Sequence, residues 1–440
     1  MKTTTAAPTS RQPRRIGRLD GVRALCALGV AAVHTSFTAG VMGAYDVEPG
    51  NETLAVLLAG LRPIALGPFF VLSGMLLYRQ FARWTLYGTP HPDLKAFFAK
   101  RVARLWPAYA LLALVCVFLL NYRAIDGPWY VLRPLLMLQV YDYTWIAGMD
   151  PAWTVPAEMQ YYLALPLLAW LMHRLARGTD DFGKKIRRML IPPGVVVIAS
   201  AWWTYHIHRP EMGIYPEQYW WPFAVGGAFV LGMMMAILLL AAEHGKEHFL
   251  HRVARERPLL LVGGAVVVYA FNCTQPFGRP GYGDYESGGL ALTQYFLLLL
   301  FSYLVVTPLA IPGTRSRVLD GVFDNPVSRY LGRISYGIYL WHFAVMYFWF
   351  GTGSIFGTEP AEMNVLRGTI QFPELMTAVL IGSIAIASLS YYLVERPILN
   401  GVQRWANARN SPPGNAAVTS DPGADPGTAP GTDPAPTLTR

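Results

Sequence analysis

The stretch Leu290-Ala-Leu-Thr-Gln-Tyr-Phe-Leu-Leu-Leu-Leu-Phe-Ser-Tyr-Leu-Val-Val-Thr-Pro-Leu-Ala-Ile311 holds 22 residues and no charged side chain. About 20 consecutive apolar residues in a helix cross a hydrocarbon core roughly 30 Å thick, so this segment is long enough to span a bilayer. The rest of the chain agrees with it. Of 440 residues, 53% are hydrophobic and only 14% charged, where a soluble domain carries about 25% charged residues. Lipid is the solvent that accommodates such a composition. The sequence therefore reads as an all-α, polytopic membrane protein.

Working outward from 290–311, nine further apolar segments are expected to span, at 24–42, 63–78, 105–120, 158–172, 189–203, 219–242, 259–271, 334–350 and 375–394. That makes about ten transmembrane helices. Residues 132–140 are apolar but too few to cross, and read as a lid or interfacial helix. The basic residues set the orientation. They cluster before the first segment (Lys2, Arg11, Arg14, Arg15, Arg18, Arg23) and then in 79–104, 174–188, 246–257, 315–333 and the C-terminal region. The alternate connections hold only Arg62, Arg123, Arg133, Arg209, Arg279 and Arg367, a bias of roughly five to one. The positive-inside rule reads this as cytoplasmic N- and C-termini, which an even number of spans requires.

The chain divides into a basic cytoplasmic segment (1–18), a membrane domain (19–400) and a Pro/Gly/Ala-rich cytoplasmic tail (401–440), whose composition predicts disorder. The first apolar stretch could be a cleaved signal peptide, but its n-region is long and it contains a histidine. The net charge of +9 does not point to nucleic acid, because the basic residues sit in short clusters between apolar segments. Three scattered cysteines make neither a disulfide framework nor a zinc site. No His-Glu-x-x-His, P-loop or Gly-x-Ser-x-Gly element is present, so no metal site is expected.

Ionisable groups inside apolar segments mark function more often than packing. In Arg23-Ala-Leu-Cys-Ala-Leu-Gly-Val-Ala-Ala-Val-His34, eleven residues at 100° each return to within about 20° of one helix face and rise about 16 Å. Either residue alone could be a topogenic charge or a helix-packing group, but the aligned pair favours function. Arg101 and Arg104, three apart before Trp106-Pro107, share a helix face and can clamp a phosphate. They also suit ordinary anchoring. Glu158, in Trp153-Thr-Val-Pro-Ala-Glu158, lies near a helix N-terminus, where the dipole stabilises a carboxylate; it could equally hold an acceptor or orient an imidazole. Tyr161 and Tyr162 fit an aromatic belt or a sugar-stacking surface. Ser73-Gly74 suits close helix approach. His342, in Ser335-Tyr336-Gly-Ile-Tyr-Leu-Trp-His342, is expected about two turns deep, as a packing hydrogen bond or part of a cavity. Glu395 is expected to pair internally.

Taken in order, Asp20-Gly-Val-Arg23 with His34, Phe69-Phe-Val-Leu-Ser-Gly74, Arg101-Val-Ala-Arg104-Leu-Trp-Pro107, Trp153 to Glu158 with Tyr161-Tyr162, Ser335 to His342, and Glu395-Arg-Pro397 resemble the acyltransferase-3 family of membrane O-acyltransferases. The likeness runs from about Leu19 to Pro397. It implies a ten-helix domain in the cell membrane that takes an acyl group from cytosolic acyl-CoA, acetyl-CoA foremost, to a hydroxyl of a glycosylated acceptor, with no bound cofactor. The acceptor could be a cell-envelope glycan, a glycolipid or a macrolide-type metabolite. The family's basic-x10-His motif falls on Arg23 and His34, its Arg-x-x-Arg on Arg101 and Arg104, and its outer Trp-Ser-Leu-x-x-Glu on Trp153 to Glu158. Thr154, Val155 and Pro156 depart from that last pattern. No extracytoplasmic hydrolase-like domain, such as some relatives carry, is expected within these 440 residues.

The resemblance and the spacing together assign His34 and Glu158 as catalytic. Arg23, Arg101, Arg104, Trp153, Tyr161, Ser73, Tyr336 and His342 are the expected substrate contacts. His34 would be a general base, or, less in keeping with the pattern, carry an acyl-imidazole. The rival is a glycan or lipid transporter without acyl-transfer chemistry, against which stands the lack of an inverted repeat.

Overall fold

The computed structural model describes residues 17–41, 52–142, 145–214, 216–276, 287–361 and 370–410. Met42, Arg279, Arg367, nearly all of the basic N-terminal segment and the tail from 411 on lie outside them. The described residues form fifteen α-helices and no strand. In chain order these are α1 (Gly17–Thr38), α2 (Glu52–Leu61), α3 (Gly67–Tyr87), α4 (Leu94–Val115), α5 (Pro128–Leu135), α6 (Thr154–Ala176) and α7 (Phe182–Ile207). They continue with α8 (Gly226–Glu243), α9 (Phe249–Glu256), α10 (Pro258–Thr274), α11 (Gly288–Ala310), α12 (Arg317–Phe323), α13 (Pro326–Phe350), α14 (Phe372–Ser390) and α15 (Arg396–Asn410).

Six of these helices, α1, α4, α7, α8, α11 and α14, are long and apolar enough to cross a membrane, with the short extensions that continue some of them. The α9–α10 pair, bent by 104°, would make a seventh. Helices α3, α6 and α13 occupy three other expected spans with 21, 23 and 25 residues. They are less apolar because they carry Ser73, Glu158 and His342 together with terminal arginines. Side chains facing outward are apolar to an extent that water would not tolerate: Ile198 is 71% exposed, Leu167 69%, Val267 67% and Ile381 67%. Polar groups lie inside, among them Asp20, Ser335, His342 and Glu395. This inside-out distribution is that of a multi-pass protein in lipid.

Most helices begin earlier than hydropathy suggests, because capping residues and polar first turns precede the apolar run. Asp93 accepts from the backbone N–H groups of Lys95 and Ala96 and starts α4 eleven residues before Leu105. Asn325 and Pro326 start α13 eight residues before Ile334. Residues 219–225, expected to open the sixth span, are instead two short 3-10 turns broken before Pro222. The expected lid at 132–140 is the end of the eight-residue α5 and a following turn. Three short helices, α2, α9 and α12, fall outside the expected segments. Residues 401–410, assigned to the tail, continue α15 as helix; Arg409 pairs with Asp93 at 3.5 Å, and the first proline comes only at Pro412.

Close backbone contacts fix the bundle where the site lies. A Cβ on Gly74 of α3 would stand 1.9 Å from the Phe229 carbonyl of α8, and one on Gly232 of α8 would stand 2.0 Å from the Val71 carbonyl. The two helices thus touch backbone to backbone through reciprocal glycines, as Ser73-Gly74 led us to expect. Gly332 of α13 packs against the Asp20 backbone of α1, and Gly21 of α1 against Phe323 just before α13. The starts of α1 and α13 are therefore adjacent and the two helices run side by side in parallel.

Candidate active site

That parallel packing brings the two intramembrane histidines to one level. His34 is the eighteenth residue of α1 and His342 the seventeenth of α13, each about 25 Å along its helix at 1.5 Å per residue. His342 is thus deeper than the two turns expected, because α13 starts at Pro326. His34 Nδ1 lies 2.8 Å from His342 Nε2. The ring planes differ by 2° and the centroids are 5.1 Å apart. Stacked rings at that separation would not bring two nitrogens so close, so the imidazoles meet edge to edge in a common plane. The ring of Phe343 stands across both, 5.0 Å from His34 and 5.3 Å from His342. On its far side, His342 Nδ1 is 2.6 Å from the Tyr339 carbonyl oxygen.

His34 lines a cavity of about 640 Å³. Its wall includes Trp153, Trp145, Trp220, Asp150 and Glu217, with Tyr339 and Phe343 beside the histidine. The indoles of Trp153 and Trp220 are 5.5 Å apart, and Trp145 donates to Asp150 at 2.9 Å. Thr154 Oγ1 donates to the Tyr339 hydroxyl at 2.8 Å, and that hydroxyl donates to the Pro151 carbonyl. These bonds pin the start of α6 to α13 beside the histidines.

Glu158 lies elsewhere. It does not line the cavity, and its carboxylate accepts from Ser73 Oγ at 2.6 Å and from the Tyr162 hydroxyl. The group bonded to His34 is His342, so the expectation that Glu158 orients His34 gives way: one turn into α6, its side chain is directed at α3. Arg101 lies within electrostatic range of Tyr162, and Arg104 within range of Tyr336. Arg104 pairs with the buried Glu395 at 3.4 Å and sits 5.8 Å over the Tyr336 ring. The Tyr336 hydroxyl donates to the Leu105 carbonyl at 2.8 Å. Arg23, on the same unbroken helix as His34, bonds Asp20 at 3.2 Å.

The polar residues thus form layers along the bundle. Arg23, Arg101 and Arg104 lie towards one end. Ser73, Glu158, Tyr162 and Tyr336 come next, then the histidine pair, then the aromatic and acidic cavity. Of the expected substrate contacts, only Trp153 joins His34 at the cavity wall. Tyr161 is turned away from it: its ring packs on Phe229 at 4.8 Å and Phe70 at 6.0 Å, and its hydroxyl donates to the Pro222 carbonyl. His342 is fully buried and stands behind His34 rather than at the wall. Sequence reading missed Asp150, Glu217, Trp145 and Trp220, which lie in connections with no periodicity. A run of aromatic residues at Tyr219-Trp220-Trp221 was the one available signal.

The order of these elements matches a family model described as an acyltransferase domain, over residues 16–412. This chain belongs to that acyltransferase family. Among its relatives, a peptidoglycan O-acetyltransferase OatA of Listeria monocytogenes is 23% identical over 407 residues, which cover 89% of this chain and 57% of that protein. An O-acetyltransferase OatA of Staphylococcus aureus is 23% identical over 403 residues, covering 88% of this chain and 57% of the relative. The chain therefore spans little more than half the length of these relatives. No solved structure matches it.

Proposed function

We propose that this protein transfers an acyl group, acetyl foremost, from acyl-CoA to a hydroxyl of a glycosylated acceptor. The observation that carries the reading is the position of His34: one imidazole edge is held by His342 and the ring borders a cavity walled by tryptophans and carboxylates. Aromatic faces with convergent acidic groups suit a sugar, whose C–H face stacks and whose hydroxyls donate. The O-acetyltransferase names of the relatives and the family membership point the same way.

In this reading the chain makes about ten crossings of the cell membrane with both termini cytoplasmic. CoA phosphates meet Arg23 and Arg101 at the cytoplasmic end, with Arg104 shared between phosphate and Glu395. The pantetheine arm follows the polar layers for the roughly 16 Å of helix rise from Arg23 to His34. The acceptor enters the cavity from the other side. His34 takes the proton of the acceptor hydroxyl as its oxygen bonds the acyl carbonyl carbon. The C–S bond then breaks, and the proton passes to the leaving thiolate, giving CoA thiol and the acylated acceptor. Glu158 holds the middle layer between donor and base.

The test is CoA release by the purified protein in nanodiscs, with acetyl-CoA and a panel of glycosides. Acceptor-dependent release, abolished in His34→Ala and shifted to higher acetyl-CoA KM in Arg23→Ala, is expected. No release with acetyl- or longer acyl-CoA, alongside glycan binding indifferent to His34→Ala, would instead mark a transporter.

A further inference from the structure

We infer that His342 is a positioning residue that fixes the tautomer of His34, leaving His34 Nε2 as the bare nitrogen that faces the reaction. The inference rests on the reading of His34 as the base. The Tyr339 backbone oxygen can only accept, so the 2.6 Å contact requires the proton to be on His342 Nδ1. A neutral imidazole protonated there presents Nε2 as a lone pair. That lone pair is 2.8 Å from His34 Nδ1 and in the plane of both rings, the direction in which an imidazole lone pair points. The proton between them must then be on His34 Nδ1, and His34 Nε2 is left unprotonated.

Three features of the packing support this assignment. His342 is fully buried and absent from the cavity wall, so its contact is with His34 and not with substrate. Among the described residues, no hydrogen bond to His34 Nε2 competes with a substrate hydroxyl. Phe343 stands edge-on to both rings and blocks rotation of either out of the common plane. The arrangement does with a neutral imidazole what a buried carboxylate does in a hydrolytic triad: it selects the tautomer and steadies the imidazolium that forms when His34 takes the acceptor proton. A neutral partner suits a depth at which an added charge would be costly.

The experiment compares His342→Leu and His342→Gln with wild type by two readouts. The first is the 15N spectrum of histidine-labelled protein in nanodiscs, with the His34 signals assigned by their loss in His34→Ala. The expected wild-type spectrum has His34 protonated at Nδ1 and bare at Nε2, and His342→Leu abolishes that preference. The second is turnover. His342→Leu is expected to lower kcat by about 100-fold or more with both KM values nearly unchanged. His342→Gln, whose amide oxygen accepts from Nδ1, is expected to keep kcat within about tenfold of wild type. A wild-type His34 protonated at Nε2 would overturn the inference, as would unchanged kcat in His342→Leu. A Gln variant as inactive as Leu would do so too. If wild type turns over no acyl-CoA, the proposed function fails, while the spectrum still decides the tautomer.

Discussion

Ser73 Oγ donates to Glu158 Oε1 at 2.6 Å and ties the middle of α3 to the first turns of α6. The same carboxylate accepts from Tyr162, one turn further along α6. A carboxylate satisfied in this way ties α3 to α6 and does not reach His34. Replacing it by an apolar group removes the carboxylate acceptor of the Tyr162 hydroxyl, itself 3% exposed. A buried unsatisfied hydroxyl costs about 1–3 kcal/mol. Glu158→Leu is therefore expected to lower the midpoint of thermal unfolding in detergent, and Glu158→Gln, which keeps an acceptor, to lower it less. Equal midpoints for the two variants would contradict the assignment.

The reciprocal glycines of α3 and α8 make a second prediction. A methyl on Gly74 meets a backbone carbonyl, which cannot swing aside as a side chain can. Overpacking of this kind costs typically 1–3 kcal/mol, and here it also displaces Ser73 from Glu158. Gly74→Ala should thus be destabilised and less active. Gly263→Ala, where nothing lies within 4 Å, should match wild type in melting temperature and turnover.

The two arginines of Arg101-Val-Ala-Arg104 should separate by phenotype. Arg104 faces Glu395, whose side chain is 2% exposed, and removing one partner of a buried pair leaves an uncompensated charge, a loss of about 3–5 kcal/mol in fully buried cases. Arg104 is partly exposed, so a smaller loss is expected. Arg104→Ala should chiefly lower thermal stability, with partial recovery in the double variant Arg104→Ala/Glu395→Gln. Arg101, whose Nε is buried with no hydrogen-bond partner among the described residues, should act on the donor. Arg101→Ala is expected to raise acetyl-CoA KM about tenfold, as loss of one charge-assisted contact would. The opposite pairing of phenotypes would remove Arg101 from the donor path.

At the cavity, Trp220→Ala and Glu217→Gln should raise acceptor KM and leave acetyl-CoA KM unchanged. A stacked aromatic is worth about 1–3 kcal/mol to a planar ligand, and the low end of that range, near tenfold, suits a sugar. A change in donor KM of the same size would show that the cavity is not the acceptor site.

What the sequence reveals is uneven for physical reasons. The lipid-facing runs are local, set by helix period along one segment, and Arg23 and His34 lie on one unbroken helix. Helix starts are set by caps such as Asp93 and Asn325, which lie outside the apolar windows that define spans, so hydropathy alone misses them. The partner of His34 is 308 positions away, and neither helix read alone says that their starts pack together; the glycines at 21 and 332 permit that contact only when both helices are taken together. Glu158 illustrates the opposite hazard. Its motif was legible, but its direction depends on a hydroxyl of α3, which spacing within α6 cannot specify. The cavity residues Asp150, Glu217 and Trp220 sit in connections whose course is set by the helices they join.

In the proposed mechanism, donor and acceptor reach His34 from opposite ends of the bundle. The most direct measurement seals a glycoside acceptor inside proteoliposomes and supplies acetyl-CoA outside only. Acetylated glycoside inside the vesicles, with free CoA outside, is the expected result, and neither is expected with His34→Ala. Product formed only when both substrates share one compartment would contradict it.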